Sequence, residues 1–181
     1  MTTYISMIRG INVGSKRIKM ADLMDIYISI GFKPVKTYIQ SGNVIFKSNM
    51  DDPDDLGQRI IQKIFETYNY HVEVVIRTME ELRTVIKSNP FGDKEVEYLH
   101  VTFLSAIPRE DMVHTIDLEN INGIKSREEL KLLSKEIYLY FPEGYGRTKL
   151  NNNFFEKKLG LNATTRNWKT VNKLLEIAEK L

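Results

Sequence analysis

Apolar residues alternate with smaller or polar ones over Tyr4–Arg9, where Ile, Met and Tyr dominate, and a period of two predicts a strand. At Met20 the period changes. Met20, Leu23, Met24, Tyr27 and Ile30 recur at helical spacing until Gly31 ends the run. Two further strands, Val35–Gln40 and Asn43–Lys47, flank Ser41-Gly42, a hairpin turn in which glycine supplies a positive φ. Asp51-Asp52-Pro53-Asp54-Asp55 then provides the acidic cap and first-turn proline of a helix. Leu56, Ile60, Ile61, Ile64, Phe65 and Tyr68 share its apolar face, and Val72–Ile76 reads as a fourth strand. The resulting order, β-α-β-β-α-β, is the ferredoxin-like pattern.

The second half repeats the theme more loosely. The spacing predicts a helix at Met79–Lys87, a strand at Tyr98–Leu104, a helix after Pro108, and strands Glu129–Leu133 and Ile137–Phe141 joined by Ser134-Lys135-Glu136. Two helices close the chain: Leu150–Leu159, ended by Gly160, and Trp168–Glu179 with Val171, Leu174, Leu175 and Ala178 as its buried stripe. The expected fold class is α+β, two ferredoxin-like sub-domains with C-terminal helices packed on them. The expected domains are 1–77, 78–143 and the helical segment 144–181, with a seam near Ser88-Asn89-Pro90-Phe91-Gly92-Asp93.

Composition removes several chemistries. The 181 residues include no cysteine, which excludes disulfides, thiolate metal ligands and a cysteine nucleophile. No apolar run is long enough for a membrane span and the N-terminus lacks a signal-peptide pattern, so a cytoplasmic, membrane-free protein is expected. His71, His100 and His114 are scattered without metal-ligand spacing, each reading as structural, and the Asp51–Asp55 run lacks the alternation of a calcium loop. No metal and no cofactor is expected, and no catalytic residue is assigned.

The net charge of +2 is unevenly spread. Residues 1–40 carry six basic and two acidic side chains, and residues 144–181 carry eight and three, so the ends are +4 and +5 and the middle is −7. Ends that met in space would attract phosphate.

The densest basic stretch, Arg9-Gly10-Ile11-Asn12-Val13-Gly14-Ser15-Lys16-Arg17-Ile18-Lys19-Met20, lies between the first strand and the first helix. Its glycine spacing is one residue short of a nucleotide-hydrolase phosphate loop and its Ser-Lys order is reversed, so it is not that motif. Glycines and two adjacent cations ahead of a helix nonetheless suit an anion. The same grammar recurs in Gly144-Tyr145-Gly146-Arg147-Thr148-Lys149 and in Ala163-Thr164-Thr165-Arg166-Asn167-Trp168.

These strings, with Lys19-Met20-Ala21-Asp22-Leu23 and Thr37-Tyr38-Ile39-Gln40-Ser41-Gly42-Asn43-Val44, resemble the bacterial domain-of-unknown-function 1697 family along essentially the whole chain. Ser15 stands where that family usually has glycine. The resemblance implies two ferredoxin-like halves and no activity.

The expected function is therefore binding of a phosphate-bearing ligand, a nucleotide or a nucleic-acid strand. Arg9, Asn12, Lys16, Arg17, Arg147 and Arg166 would grip the anion, and Tyr38, Gln40, Asn43, Asn167 and Trp168 would supply stacking or polar contacts. The alternative is an enzyme acting on a small phosphorylated or carboxylated metabolite held by the same cations.

Overall fold

The computed structural model describes residues 1–121 and 127–181. The described chain divides into two compact units, Met1–Thr84 with Lys173–Leu181, and Val85–Asn172. Among the described residues, eight strands form two four-stranded sheets, every pairing antiparallel. The fold is α+β, with two ferredoxin-like halves and helices at the C-terminal end. No described helix is long and apolar enough to cross a membrane.

The first unit runs β1 (Thr2–Arg9), α1 (Met20–Ile30), β2 (Val35–Tyr38), β3 (Asn43–Ser48), α2 (Pro53–Tyr68) and β4 (Glu73–Thr78). Its sheet order is β2-β3-β1-β4, which places the first and third strands centrally. Alternation along β1 sends Tyr4 and Ile8 into a core with Leu23, Tyr27, Phe32, Phe46, Ile60 and Ile64, while Ile5 and Met7 on the opposite face are buried as well. Phe46 is the hub: it stacks on Phe32 at 4.5 Å and on Tyr4 at 5.7 Å, and meets Tyr27 edge-on at 5.4 Å. The hydroxyls that this packing buries are satisfied: Tyr27 OH shares a 2.6 Å hydrogen bond with Ser6 Oγ, and Tyr4 OH donates to Met50 O at 2.9 Å. Burial pushes the Tyr27 phenol far above its usual range.

Local signals set the element ends. Gly31 takes a left-handed conformation and its N–H caps α1, while Asp52 accepts the Asp54 N–H at the start of α2, with Pro53 in the first turn. β2 stops at Tyr38, two residues before the expected end, because Ile39 turns left-handed at φ 50° and puts Gln40 in the connection. Gly42 closes that connection at φ 75°. A Cβ there would lie 2.8 Å from Ile11 Cδ1 and 3.0 Å from Ile8 Cβ, so only glycine fits.

The second unit contains β5 (Leu99–Leu104), α4 (Glu110–Val113), β6 (Glu129–Leu133), β7 (Glu136–Tyr140), α5 (Asn152–Leu159) and β8 (Ala163–Asn167), in the order β6-β7-β5-β8. Both sheets thus place their strands in the same spatial order, second, third, first and fourth. Leu104, Ile137, Leu139, Phe141, Leu150, Phe155 and Leu159 form its core. His100 stacks on Tyr145 at 5.0 Å, and burial lowers its imidazole below the ordinary histidine range.

Three expectations change here. The helix after Pro108 is a single turn followed by 3-10 turns. The helix expected from Leu150 begins at Asn152, because Asn151 caps it by accepting the Phe154 N–H at 3.0 Å. Residues 163–167, read only as a helix entrance, form β8, which completes the second four-stranded sheet before α6 (Trp168–Glu179) begins.

Candidate functional site

In the first unit the loop from Gly10 to Lys19 is built around Asn12. This residue takes the left-handed conformation, φ 56°, that asparagine tolerates better than most side chains. Its backbone N–H donates to Lys16 O at 2.7 Å and Val13 bridges Lys16, so residues 12–16 fold back as a small hairpin turning at Gly14, φ 64°. The side chain then locks the hairpin in place. Asn12 Nδ2 donates to Ile18 O at 3.0 Å and to Gln40 O at 2.8 Å, while Oδ1 accepts the Ile18 N–H at 2.9 Å. Asn12 and Gln40 are therefore brought together, Asn12 through its amide and Gln40 through its main-chain carbonyl. Ile11 and Ile18, both 2% exposed, pin the two ends of the loop to the core.

The loop cations are ordered by carbonyl oxygens. Lys16 Nζ donates to His71 O, and Arg17 Nη1 donates to Asn12 O at 3.0 Å. Arg17 N–H also reaches Tyr70 OH at 3.4 Å. Arg9 ends β1 directly opposite Glu73 of β4. Asn43 is fully buried, with Nδ2 donating to Ser41 Oγ at 2.8 Å and Tyr38 O at 3.2 Å, so its amide braces the β2–β3 connection. Tyr38 is half-buried at the end of β2.

The four remaining candidates lie in the second unit. Arg166 is 8% exposed on β8, and its Nη1 donates to Thr164 Oγ1 at 2.8 Å and to Thr165 O at 2.9 Å. Asn167 caps α6, its Oδ1 accepting the Thr170 N–H at 2.8 Å, and half-buried Trp168 opens that helix. Arg147 is exposed at the end of the 3-10 turn Tyr145–Arg147.

Beside the basic loop is a feature that sequence reasoning missed. A cleft of about 320 Å³ opens between one side of α2 and the segment leading into β4, lined by Gln58, Gln62 and Phe65 on the helix and by Tyr70, His71 and Glu73 opposite. Phe65 was expected on the buried face of α2, but the residue is 40% exposed and its ring rests against the His71 ring at 4.8 Å. The physical reason lies in the helix geometry. Leu56, Ile60 and Ile64 fill the core-facing row at i, i+4, i+8, and Phe65, one position further round, falls on the shoulder. The available signal was the row Gln58, Gln62, Phe65 at spacings of four and three, followed by the aromatic-rich turn Tyr68-Asn69-Tyr70-His71.

A family model described as a protein of unknown function (DUF1697) matches residues 1–138. No curated protein matches the chain. Among solved structures, the chain is similar to the conserved bacterial protein SP0830 from Streptococcus pneumoniae, with 24% sequence identity, a TM-score of 0.78, and 99% of each chain covered. At that identity the likeness is one of fold.

Proposed function

This chain belongs to the DUF1697 family, a membership that carries no activity with it, and we propose that its basic loop seats a phosphate-bearing ligand, a nucleotide or a nucleic-acid strand. The observation that carries this reading is the anchoring of Lys16 and Arg17 to backbone carbonyls, on a hairpin that Asn12 holds in one conformation. An ammonium has three donors and a guanidinium five, so cations anchored in this way keep further donors for a phosphate. Because their side chains are already ordered, binding loses less rotamer entropy than it would with unrestrained surface lysines. Arg9, at the end of β1 where the loop begins and opposite Glu73, is a third proposed contact, and Asn12, Gln40, Asn43 and Tyr38 support the loop and the turn beneath it. Arg147, Arg166, Asn167 and Trp168 are a second set of proposed contacts, to be tested separately on the second unit.

The test is calorimetric titration with inorganic pyrophosphate at two salt concentrations, on the unaltered protein and on the Lys16→Ala/Arg17→Ala variant. Saturable binding that weakens with salt and falls at least tenfold in the variant is expected. Equal binding by both proteins would remove the loop from the function. Turnover of a phosphorylated metabolite in the same protein would favour the enzyme alternative.

A further inference from the structure

We infer that the ligand of this loop carries a planar, nitrogen-bearing aromatic ring next to its phosphate, and that the ring occupies the cleft between α2 and the Tyr70–Glu73 segment. The inference rests on the phosphate reading of the loop and adds the ligand's second half.

Three observations point to it. The first is position: Lys16 Nζ donates to the main-chain oxygen of His71, a residue that lines the cleft, so the loop cation is in contact with the cleft's wall. The second is size, because about 320 Å³ lies at the lower end of small-molecule sites, enough for a nucleobase or nucleoside. The third is the chemistry of the walls. Phe65 and His71 present two rings with centroids 4.8 Å apart, inclined by 38°, and Phe65 is 40% exposed. An aromatic face of this kind stacks on any planar base.

The polar wall narrows the ring further. Gln58 and Gln62 stand one turn apart on α2, and a glutamine amide offers the donor and acceptor pair that matches adenine at N6 and N7. Gln62 Nε2 also donates to Glu66 Oε1 at 2.9 Å, one turn further along the helix. Glu73 closes the opposite wall with a carboxylate. The ring therefore enters the cleft and the phosphate faces Lys16 and Arg17. A mononucleotide and a segment of a single strand share this chemistry.

Calorimetric titrations with pyrophosphate, adenosine, ADP and a six-nucleotide single-stranded oligoadenylate test the inference, each on the unaltered protein and on Phe65→Ala and Gln58→Ala. Both residues are exposed, and circular dichroism verifies that each variant is folded. ADP should bind about tenfold or more tightly than pyrophosphate, and Phe65→Ala should remove that gain while leaving pyrophosphate affinity unchanged. Gln58→Ala provides the second reading of the same wall and should reduce the ADP gain alone. A strand preferred to ADP, with the same Phe65 dependence, supports the site with nucleic acid as the source. ADP binding no tighter than pyrophosphate, or tighter binding indifferent to both variants, overturns the ring site and leaves the phosphate loop standing. Binding of neither ADP nor pyrophosphate overturns both, and adenosine binding as well as ADP overturns the joint site.

Discussion

At the scale of single residues, Asn12 does the most for the loop, and its work was hidden in the sequence. Read in the string Gly10-Ile11-Asn12-Val13-Gly14 it was a candidate ligand contact, but its amide spans Ile18 and Gln40 and its backbone sits in the left-handed region. Two separable effects are combined at this position. Asn12→Ala loses the amide's hydrogen bonds and forces alanine into positive φ, whereas Asn12→Gly loses only the bonds. Alanine should cost about 2–3 kcal/mol of unfolding free energy and glycine about 1 kcal/mol less, read as shifts in the urea midpoint at constant slope. Equal costs for the two variants would show that the backbone conformation carries no strain. Asn43 is ambiguous in the sequence in the same way: a polar residue after a turn reads equally well as a contact or a brace, and in the structure its fully buried amide braces the connection.

At the scale of elements, the sequence was legible wherever burial followed one period. α1, α3 (Met79–Lys87), β6 and α6 begin and end where their apolar spacing says they should. β8 was illegible because Ala-Thr-Thr-Arg-Asn has no apolar alternation, and what fixes it is polar. Thr165 Oγ1 is 2.7 Å from Thr102 Oγ1 of β5 and donates to Asn152 Oδ1 of α5 at 2.6 Å, tying an edge strand to both its neighbouring strand and the helix. No linear pattern announces such a bond, since its partners lie 63 and 13 residues away. Thr165→Val keeps the side-chain shape and removes both links, leaving Thr102 and Asn152 without this partner. A loss of about 1–3 kcal/mol in unfolding free energy is expected, checked by chemical denaturation, and Thr165→Ser should recover most of it. A neutral Thr165→Val would mean that backbone pairing alone holds β8.

At the scale of the whole chain, the same strand order is built twice, which gives the basic loop an internal control. In the first unit the connection from the first strand to the first helix is the glycine-containing stretch with Lys16 and Arg17. In the second unit the corresponding connection is Ser105-Ala106-Ile107-Pro108-Arg109, without glycine and with one cation. The sheet topology forms with either, so the topology does not require the loop's composition. The charge distribution agrees, because residues 1–40 carry a balance of +4 in a chain whose total is only +2. A structural reading and a binding reading of Lys16 and Arg17 then predict opposite outcomes for one variant. Each side chain makes a hydrogen bond to a carbonyl near the surface, and such bonds contribute about 0.5–1.5 kcal/mol at most. If the cations serve a ligand, Lys16→Ala/Arg17→Ala should shift the unfolding free energy by no more than about 3 kcal/mol, the sum of the two bonds, while pyrophosphate affinity falls at least tenfold. If they serve the fold, the denaturation midpoint should collapse and the affinity of the remaining folded protein should be unchanged. Measuring both quantities on the same preparation separates the two, because a loss of binding caused by unfolding would appear first in the circular dichroism.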